Sequence, residues 1–338
     1  MKILFVIDYK SWIPVQEGNM QSHHLWGMDY FIEKFLSRER AEIKSEFGGG
    51  YIDFVYYRHF FIIDAFGFLK LAKKYDIIFD PITVIYPSIG FLKKLGIKTP
   101  FMITQFHYPP FKWLMTFGKT DAALFFSKTL CEESKKYVSD GRMMLTAKWY
   151  PDVNWYLNNM HYQDSVKDIV FLDTGKNKRD KDKFVRSMKK LPSLNALIVM
   201  TGNAKTPVSY NGDSNVEIYR VESPDSVKMM KLFVRSKVMV IPLSLDIENT
   251  PIGSTNYLDA VAMGMPVVCP ANTYYAKEVE ENKTGVTYDY KASDFSDALL
   301  KCYSDYERYR NNMLQFREKH NIEIYSKVLE SIFNKVKL

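Results

Sequence analysis

Short apolar runs alternate with helical stretches along the first half of the chain. This order predicts a parallel β-sheet with crossover helices. The predicted strands of this half are Ile3–Ile7, Ile77–Phe79, Phe101–Gln105, Ala122–Phe126 and Met144–Ala147. Helices are predicted around His23–Leu36 and, more briefly, at Leu92–Gly96.

A second alternating series follows the polar stretch Asn158–Lys167, which we interpret as an interdomain linker. Its predicted strands are Ile169–Leu172, Ala196–Thr201, Val216–Tyr219, Val238–Ile241 and Pro266–Val268. Its predicted helices are Asp182–Lys190, Ser226–Arg235, Thr255–Met263 and a helical stretch throughout residues 303–337. Two α/β series of similar size predict two Rossmann-like domains facing a central cleft. Ligands of such sheets bind beyond the carboxyl ends of the strands.

Composition and charge agree with this organisation. The chain has 338 residues, of which 46% are apolar and 25% are charged, as in soluble globular proteins with two domains. A net charge of +7 suits anionic ligands such as nucleotide diphosphates, or an anionic membrane surface. The Lys and Arg residues are scattered and no nucleic-acid-binding signature is present, so nucleic acid is not an expected partner.

The cysteines and the N-terminus indicate a cytoplasmic protein. Cys131, Cys269 and Cys302 are far apart and odd in number, which favours buried thiols over disulfides or a zinc site. The apolar run at the N-terminus ends at Asp8, too early for a signal peptide, and this disfavours a periplasmic-type binding protein. No segment reaches the roughly 18 to 20 apolar residues of a membrane span.

The most informative motif is NTPIGSTNYLDAVAMGMPVVCP, residues 249–270, which predicts a loop, a helix and a buried strand. Gly253, Ser254 and Thr255 lie where the helix begins, and a helix N-terminus favours an anion. Asp259 lies about one turn further along and can accept hydrogen bonds from sugar hydroxyls. The motif therefore indicates a pocket for a phosphate joined to a ribose. The alternative is an ordinary loop–helix–strand unit in which Ser254 or Thr255 is an N-cap.

The order of these features resembles the nucleotide-sugar signature of GT-B glycosyltransferases, especially the retaining family 4 type. In that family a glycine-containing loop precedes a helix reading Leu-Glu-Ala-Met-Ala, one more residue, a glycine and a Pro-Val-Val strand. Here the helix reads Leu-Asp-Ala-Val-Ala over residues 258–262, and Gly264 and Pro266 follow. The resemblance implies an acceptor-side domain over residues 1–160 and a donor-binding domain over residues 166–319. It also implies that a C-terminal helix, residues 320–338, packs back on the first domain.

A cationic run, DTGKNKRDKDKF, follows the predicted strand Ile169–Leu172 and suits a diphosphate. The resemblance places phosphate-binding basic residues here. Arg179 is the first candidate because its planar fork donates two hydrogen bonds, with Lys176 or Lys178 as helper. The alternative is a solvated charged segment capped by Asp180.

The resemblance also implies three contacts outside these two motifs. His107, after the strand Phe101–Gln105, matches a residue near the transferred sugar, and Gly18 matches a glycine loop that approaches the donor or acceptor. Glu222 lies where relatives contact the base. The alternatives are a His107 that only hydrogen-bonds its surroundings, and a segment after Glu222 that only starts a helix, with Ser223 as N-cap. Neither a metal nor another cofactor is expected, and the adjacent His23 and His24 do not share a helix face.

One acid of the signature is missing. Retaining members carry a glutamate eight residues before the helix acid, and Pro251 stands at that position here. Asp246 and Glu248 are close in sequence but out of register. The change leaves open an inactive nucleotide-sugar-binding subunit that partners another transferase. A GT-B epimerase or phosphorylase is a further alternative.

The aromatic block Tyr51–Leu69, followed by Lys70, Lys73 and Lys74, has two interpretations. It is either a face that contacts lipid headgroups or a buried helix with snorkelling lysines. Taken together, the resemblance implies a metal-independent, hexosyltransferase-like enzyme. Such an enzyme moves a sugar from a nucleotide-diphosphate sugar to a hydroxyl of a saccharide or lipid-linked saccharide, as in polysaccharide or glycoconjugate biosynthesis, with peripheral contact at the inner face of a membrane.

Overall fold

The computed structural model describes residues 2–35, 52–57, 65–83, 85–107, 118–136, 142–160, 167–173, 179–202, 204–222, 226–243 and 252–336. The chain forms two compact units. Unit 1 comprises residues 1–150 and 322–338, and unit 2 comprises residues 151–321. Each unit contains one six-stranded sheet in which every pair of neighbouring strands is parallel.

The sheet of unit 1 has the strand order β2-β1-β3-β4-β5-β6. Its strands are β1 (Ile3–Asp8), β2 (Ile52–Tyr57), β3 (Ile77–Asp80), β4 (Phe101–Phe106), β5 (Ala122–Phe125) and β6 (Met143–Thr146). The helices of the unit are α1 (Tyr9–Gln16), α2 (Met28–Phe35), α3 (Ala65–Ala72), α4 (Tyr86–Lys94), α5 (Lys128–Lys135) and α13 (Ile322–Lys335), with a short 3₁₀ helix at Ser22–Leu25.

Alternation along β1 distributes its side chains to two packed layers. Leu4 and Val6 belong to the buried cluster that includes residues of α3, α4 and α5. Phe5 points to the other face, where its ring contacts the rings of Phe31 on α2 and Phe333 on α13. The C-terminal helix therefore covers one face of the sheet of unit 1.

The sheet of unit 2 has the order β12-β11-β10-β7-β8-β9. Its strands are β7 (Lys167–Asp173), β8 (Ala196–Thr201), β9 (Val216–Val221), β10 (Ser236–Val240), β11 (Val267–Pro270) and β12 (Gly285–Tyr288). The helices of the unit are α6 (Val153–Asn159), α7 (Lys181–Lys189), α8 (Ser226–Phe233), α9 (Ser254–Met263), α10 (Ala276–Glu281), α11 (Ser296–Ser304) and α12 (Tyr306–Lys319). Read from β9, this is the strand order 3-2-1-4-5-6 of the doubly wound Rossmann fold.

The boundary between the units differs from the predicted linker at Asn158–Lys167. The structure ends unit 1 at Tyr150, so α6 belongs to unit 2. The reason is packing: Trp155 and Tyr156 are buried in the same cluster as Tyr257 of α9. Of the predicted linker, residues 161–166 lie outside the described part of the chain.

Several helices differ from their predicted extent. The predicted helix His23–Leu36 is two elements, separated by Trp26 and Gly27 in left-handed conformation. The predicted continuous helix over residues 303–337 is interrupted twice: at Asp305, and between Lys319 and Ile322, where the chain passes from unit 2 to unit 1. Among the described residues, no helix has both the length and the apolar character that crossing a bilayer requires.

The aromatic block Tyr51–Leu69 is not a single helix. Its first described part is strand β2, which pairs with β1, and its second is the start of α3. The three cysteines, Cys131, Cys269 and Cys302, are all buried free thiols.

Candidate functional site

The topology of unit 2 marks one crevice for a ligand. Strands β7 and β10 are neighbours, but the chain continues from β7 towards β8 on one side and from β10 towards β11 on the other. Ligands of doubly wound sheets bind at such a switch point, beyond the carboxyl ends of the strands. The segments that leave β7, β10 and β11 at this edge carry the candidate site.

Arg179 is anchored at the switch point by backbone contacts. It forms an isolated antiparallel bridge with Leu243, and the N–H of Asp180 donates to the carbonyl of Pro242 at 2.8 Å. The carboxylate of Asp180 accepts a hydrogen bond from the N–H of Lys183 at 2.9 Å and so caps α7. This is the cap predicted in the alternative interpretation of the charged segment. Arg179 is thus held just before α7, next to the segment that leaves β10.

Gly253 is the N-cap of α9 and adopts a left-handed conformation, with φ of 85°. The first intrahelical bond is from the N–H of Tyr257 to the Gly253 carbonyl at 2.9 Å. The helix therefore begins one residue before its predicted start, and its N-cap glycine supplies no side-chain capping bond. The N–H groups of its first turn have no partner within the helix, and the helix start carries the positive end of the dipole.

Space at Gly253 is already taken by two polar groups. A Cβ on this residue would lie 2.6 Å from the hydroxyl oxygen of Tyr275 and 3.2 Å from Nη1 of Arg179. Tyr275 follows β11, so three separate segments meet at the start of α9: one after β7, one before α9 and one after β11. Sequence reasoning missed Tyr275, and its only signal is a Tyr-Tyr pair four residues after β11.

The hydroxyl of Tyr275 is a buried group without a hydrogen-bond partner among the described residues. The residue is fully buried, and its ring stacks on that of Tyr257 with centroids 4.7 Å apart. Burial raises the pKa of Tyr275 well above its usual value, and the charge of Arg179 only partly opposes this, so the hydroxyl stays protonated at neutral pH. A buried hydroxyl left unbonded costs about 1–3 kcal/mol, which a ligand oxygen would recover.

The two hydroxyl residues predicted at the helix start differ in environment. Ser254 is buried and shares a hydrogen bond with the hydroxyl of Tyr274, whereas Thr255 is exposed. Asn256 is also buried, and its side-chain amide donates to the carbonyl of Leu172 on β7 at 3.3 Å. Ser254 and Asn256 thus hold the helix start against its neighbours.

Asp259 lies in the second turn of α9 and is half-buried. Its carboxylate accepts a hydrogen bond from the hydroxyl of Tyr156 on α6. Burial raises the pKa of Asp259 to about 7, against the opposing effect of the Tyr156 hydrogen bond. The residue therefore changes charge near neutral pH.

The other residues predicted to contact the donor lie away from β7 or outside the described part of the chain. Glu222 is exposed and follows the edge strand β9, two strands away from β7. Lys176 and Lys178 lie outside the described residues, as do Ser223 beside Glu222 and the signature positions Asp246, Glu248 and Pro251.

His107 of unit 1 follows β4, as predicted, and its side chain hydrogen-bonds and packs against neighbouring residues of unit 1. Its Nε2 lies 2.7 Å from the carbonyl oxygen of Pro81, and its ring contacts those of Trp26 and Phe126. Burial lowers the pKa of His107 to about 4, although the bond to the Pro81 carbonyl opposes this. The imidazole is therefore neutral at pH 7.

An aromatic cluster surrounds His107 in unit 1. Trp26 stacks on Trp149 with centroids 4.5 Å apart, and Trp149 also contacts His23 and His24 edge to face. Burial lowers the pKa of His24 to about 4 and that of His23 well below its usual value. Within the described residues, no group of three or more metal-ligating side chains comes together.

Gly18 is exposed and has φ of 75°, and its N–H donates to the carbonyl of Val15 at 3.0 Å at the end of α1. A Cβ there would meet nothing within 4 Å. The conformation, rather than crowding, accounts for glycine at this position. Its predicted contact with a substrate stays a prediction.

Comparison with known proteins defines the fold. No protein-family model matches the sequence, and no curated protein sequence does either. Among solved structures, HepE (Alr3699) from Anabaena in complex with UDP matches with a TM-score of 0.67 and 10% identity, over 99% of this chain and 100% of that chain. An alpha,alpha-trehalose 6-phosphate synthase from Burkholderia multivorans matches equally, with a TM-score of 0.67 and 10% identity, over 99% and 98% of the two chains.

A third similar structure is the lipopolysaccharide outer core galactosyltransferase WaaB, with a TM-score of 0.62 and 13% identity, over 99% of this chain and 100% of that chain. These whole-chain likenesses show that the protein has the two-domain GT-B fold, which confirms the fold predicted from the sequence.

Proposed function

We propose that the protein is a glycosyltransferase whose donor is a nucleoside-diphosphate sugar bound by unit 2. The observation that carries the proposal is the convergence of Arg179, the Tyr275 hydroxyl and the N-terminus of α9 at the switch point of the sheet. The similar structures, which include transferases and a UDP complex, support the same conclusion.

The chemistry of these groups suits a diphosphate. Arg179 offers a planar fork of N–H donors, α9 offers backbone N–H groups and the positive end of its dipole, and Tyr275 offers a protonated hydroxyl. Donors of this kind neutralise the charge that grows on a leaving diphosphate as the glycosidic bond breaks. The proposed role of this site is therefore to bind the donor and to stabilise its leaving group.

Asp259 is the proposed partner of the ribose hydroxyls. It lies on the same helix as the proposed phosphate contacts and, when ionised, its carboxylate has acceptor capacity beyond the bond from Tyr156. Two similar structures are described as HepE complexes containing UDP, one of them with glucose. Uridine is therefore the first base to test.

The test is a thermal-shift panel of UDP, GDP, ADP, CMP and dTDP, with Arg179→Ala as the control variant. A ligand at about one hundred times its dissociation constant stabilises the native state by roughly 2.7 kcal/mol. One nucleotide that shifts the wild type but not Arg179→Ala supports the site. Removing Arg179 should cost about 1.5–3 kcal/mol of binding, the range for hydrogen bonds to charged groups. An absence of shift with every nucleotide would contradict the proposal.

A second candidate is a nucleotide-sugar-binding subunit without its own turnover. It is favoured by Pro251 at the position of the first signature acid. The two candidates differ in product release. A transferase releases the nucleotide from its donor sugar when acceptor is added, a GT-B epimerase converts the donor without acceptor, and a binding subunit does neither.

The finer features of the proposal come from the sequence resemblance alone. They are a hexosyl group, independence from metal, and an acceptor that is a saccharide or a lipid-linked saccharide of polysaccharide or glycoconjugate biosynthesis. The contacts proposed for Gly18, His107, Lys176 and Glu222 belong with them. A panel of donor sugars with the matching nucleotide, run with and without a chelator, tests the first two features.

A further inference from the structure

Helices α3 and α4 lie side by side on one face of the sheet of unit 1. Their inner sides are apolar and join the same buried cluster. Phe68 and Leu69 of α3 and Ile89 and Leu92 of α4 are at most 7% exposed. These positions fill the core, so the exposed described residues of both helices lie on their opposite sides.

The outer side of α3 combines an exposed aromatic residue with lysines. Phe66 is 67% exposed, and Lys70, Lys73 and Lys74 are exposed four, seven and eight positions later. Residues at such spacings share one helical face, which continues here into the turn that follows α3. Helix-terminal lysines are common, but a phenyl ring that is two thirds exposed on the same face is not explained by packing against the described core of the unit.

The outer side of α4 repeats this arrangement. Phe91 is 45% exposed and Leu95 is 62% exposed, Lys94 is exposed beside them, and Lys98 is exposed in the segment that follows the helix. The two outer sides, from Phe66 to Lys74 and from Phe91 to Lys98, together form what we call the α3–α4 face.

The charge of the α3–α4 face has one sign. Residues 65–75 and 85–98 contain no Asp or Glu. Lys93 is paired with Asp121 at 2.7 Å, whereas the exposed lysines of the face form no ion pair within the described part of the chain. These five exposed lysines are Lys70, Lys73, Lys74, Lys94 and Lys98.

We infer that the α3–α4 face binds the surface of an anionic lipid bilayer. Exposed Phe and Leu side chains interleaved with lysines are the composition of an interfacial membrane contact. The apolar groups enter the boundary of the acyl region, and the ammonium groups meet anionic headgroups. The lysines have flexible stems and no acidic partner among the described residues, which suits a fluid array of charges.

Charge complementarity also decides against a second copy of this chain as the occupant. In a two-fold contact the same patch meets itself, and five lysines would then face five lysines. The inference is independent of the donor site, because all the residues of the face lie in unit 1 and the proposed donor residues lie in unit 2.

The test is flotation of the full-length protein with lipid vesicles, either phosphatidylcholine alone or phosphatidylcholine with about one third phosphatidylglycerol. The wild type should float with the anionic vesicles only, and its binding should weaken as salt screens the lysines. The variant Lys70→Glu/Lys73→Glu/Lys74→Glu should lose at least about tenfold in binding, since each lysine near an anionic surface contributes roughly fivefold.

A matched control reverses the same number of charges elsewhere. Lys205→Glu/Lys301→Glu/Lys319→Glu changes three exposed lysines of unit 2 and should bind anionic vesicles almost as the wild type does. A second variant, Phe91→Ser/Leu95→Ser, removes the apolar contribution and keeps every charge, so it should also bind more weakly. Circular dichroism and the nucleotide-induced thermal shift verify that each variant is folded.

Three outcomes would overturn the inference: no binding of the wild type to anionic vesicles, equal losses for the two triple variants, or equal binding to neutral and anionic vesicles. A change of oligomeric mass in Phe91→Ser/Leu95→Ser would also overturn it, because it would assign the face to a second copy. Failure of these tests leaves the donor site untouched, since nucleotide binding is measured without lipid.

Discussion

The hydroxyl of Tyr275 lies 2.6 Å from the point where a Cβ on Gly253 would stand, so the N-cap of α9 has room for glycine only. The left-handed φ of 85° adds conformational strain to any replacement. We predict that Gly253→Ala destabilises unit 2 by about 1–3 kcal/mol, as overpacking does, and removes most nucleotide binding. Urea unfolding and nucleotide titration measure the two effects.

Gly212→Ala is the comparison for this substitution. Gly212 also has a positive φ, but a Cβ there would meet nothing within 4 Å. Its alanine variant should therefore show only the conformational part of the destabilisation and should still bind nucleotide. If Gly253→Ala bound nucleotide as well as Gly212→Ala does, the close contact at α9 would not belong to the binding site.

Tyr275→Phe should act on stability and binding in opposite directions. The substitution keeps the ring that stacks on Tyr257 and removes a buried hydroxyl that has no described partner. Without ligand, we expect stability to stay equal or to rise by up to about 1 kcal/mol, whereas nucleotide affinity should fall by about 0.5–1.5 kcal/mol. Thermal unfolding and calorimetric titration give these values.

Tyr288→Phe is the matched control, because the Tyr288 hydroxyl is also buried without a described partner but is not among the three atoms nearest to a Cβ on Gly253. It should leave nucleotide affinity unchanged. Equal losses of affinity in the two variants would remove Tyr275 from the site.

Asp259 should make the recognition of ribose depend on pH. Its pKa, raised to about 7 by burial, means that the carboxylate becomes the better acceptor as the pH rises through about 7. The ratio of affinities for a ribonucleotide and its 2′,3′-dideoxy analogue should therefore increase from about pH 6 to about pH 8. Asp259→Asn should abolish this increase, and a ratio independent of pH in the wild type would contradict the ribose assignment.

Asp259 should also make the stability of the folded protein depend on pH. The folded state holds the Asp259 proton more tightly than the unfolded chain does, because burial raises the pKa of Asp259 to about 7. The stability that the protonated carboxyl contributes is therefore complete below the ordinary carboxyl pKa and is lost as the pH rises through about 7. Tyr156→Phe removes the hydrogen bond that favours the carboxylate and should move the midpoint of this loss to higher pH.

The buried histidines of unit 1 should make stability depend on pH in the direction opposite to that of Asp259. Burial lowers the pKa of His24 and His107 to about 4, so the unfolded chain binds more protons than the folded one between about pH 4 and pH 6.5. Stability from these groups is present above that range and is lost as the pH falls through it. His107→Gln should reduce the fall in the urea midpoint on acidification. The same fall in the wild type and in His107→Gln would contradict the assignment.

Apolar runs were sufficient to predict the architecture, because parallel strands buried on both faces are nearly continuous in hydrophobicity. The segments of β7 and β8 illustrate this, since each is an uninterrupted apolar stretch bounded by polar residues. Strand β2 was missed because its IDFVYY sequence lies within an aromatic block without clear periodicity. Strand β12 was missed because its GVTY sequence contains a glycine and a threonine and has no continuous apolar run. Helix α1 was missed because it contains Pro14, which argues against a helix interior.

The start of α9 was predictable to within one residue because local signals mark it: a glycine, hydroxyl residues and a following apolar helix. Tyr275 was not predictable, because its proximity to Gly253 depends on the order in which β7, β10 and β11 pair. The hydrogen bond from Tyr156 to Asp259 was not predictable for a related reason. The sequence places the segment of α6 in the first domain, and only burial of its aromatic residues assigns it to unit 2.

A crystal structure of the protein with UDP tests the central proposal most directly. We predict diphosphate oxygens within about 3 Å of the Arg179 guanidinium, of the first-turn N–H groups of α9 and of the Tyr275 hydroxyl. UDP bound with its phosphates away from these groups, or no UDP in unit 2 at saturating concentration, would contradict the proposal that this switch point holds the donor.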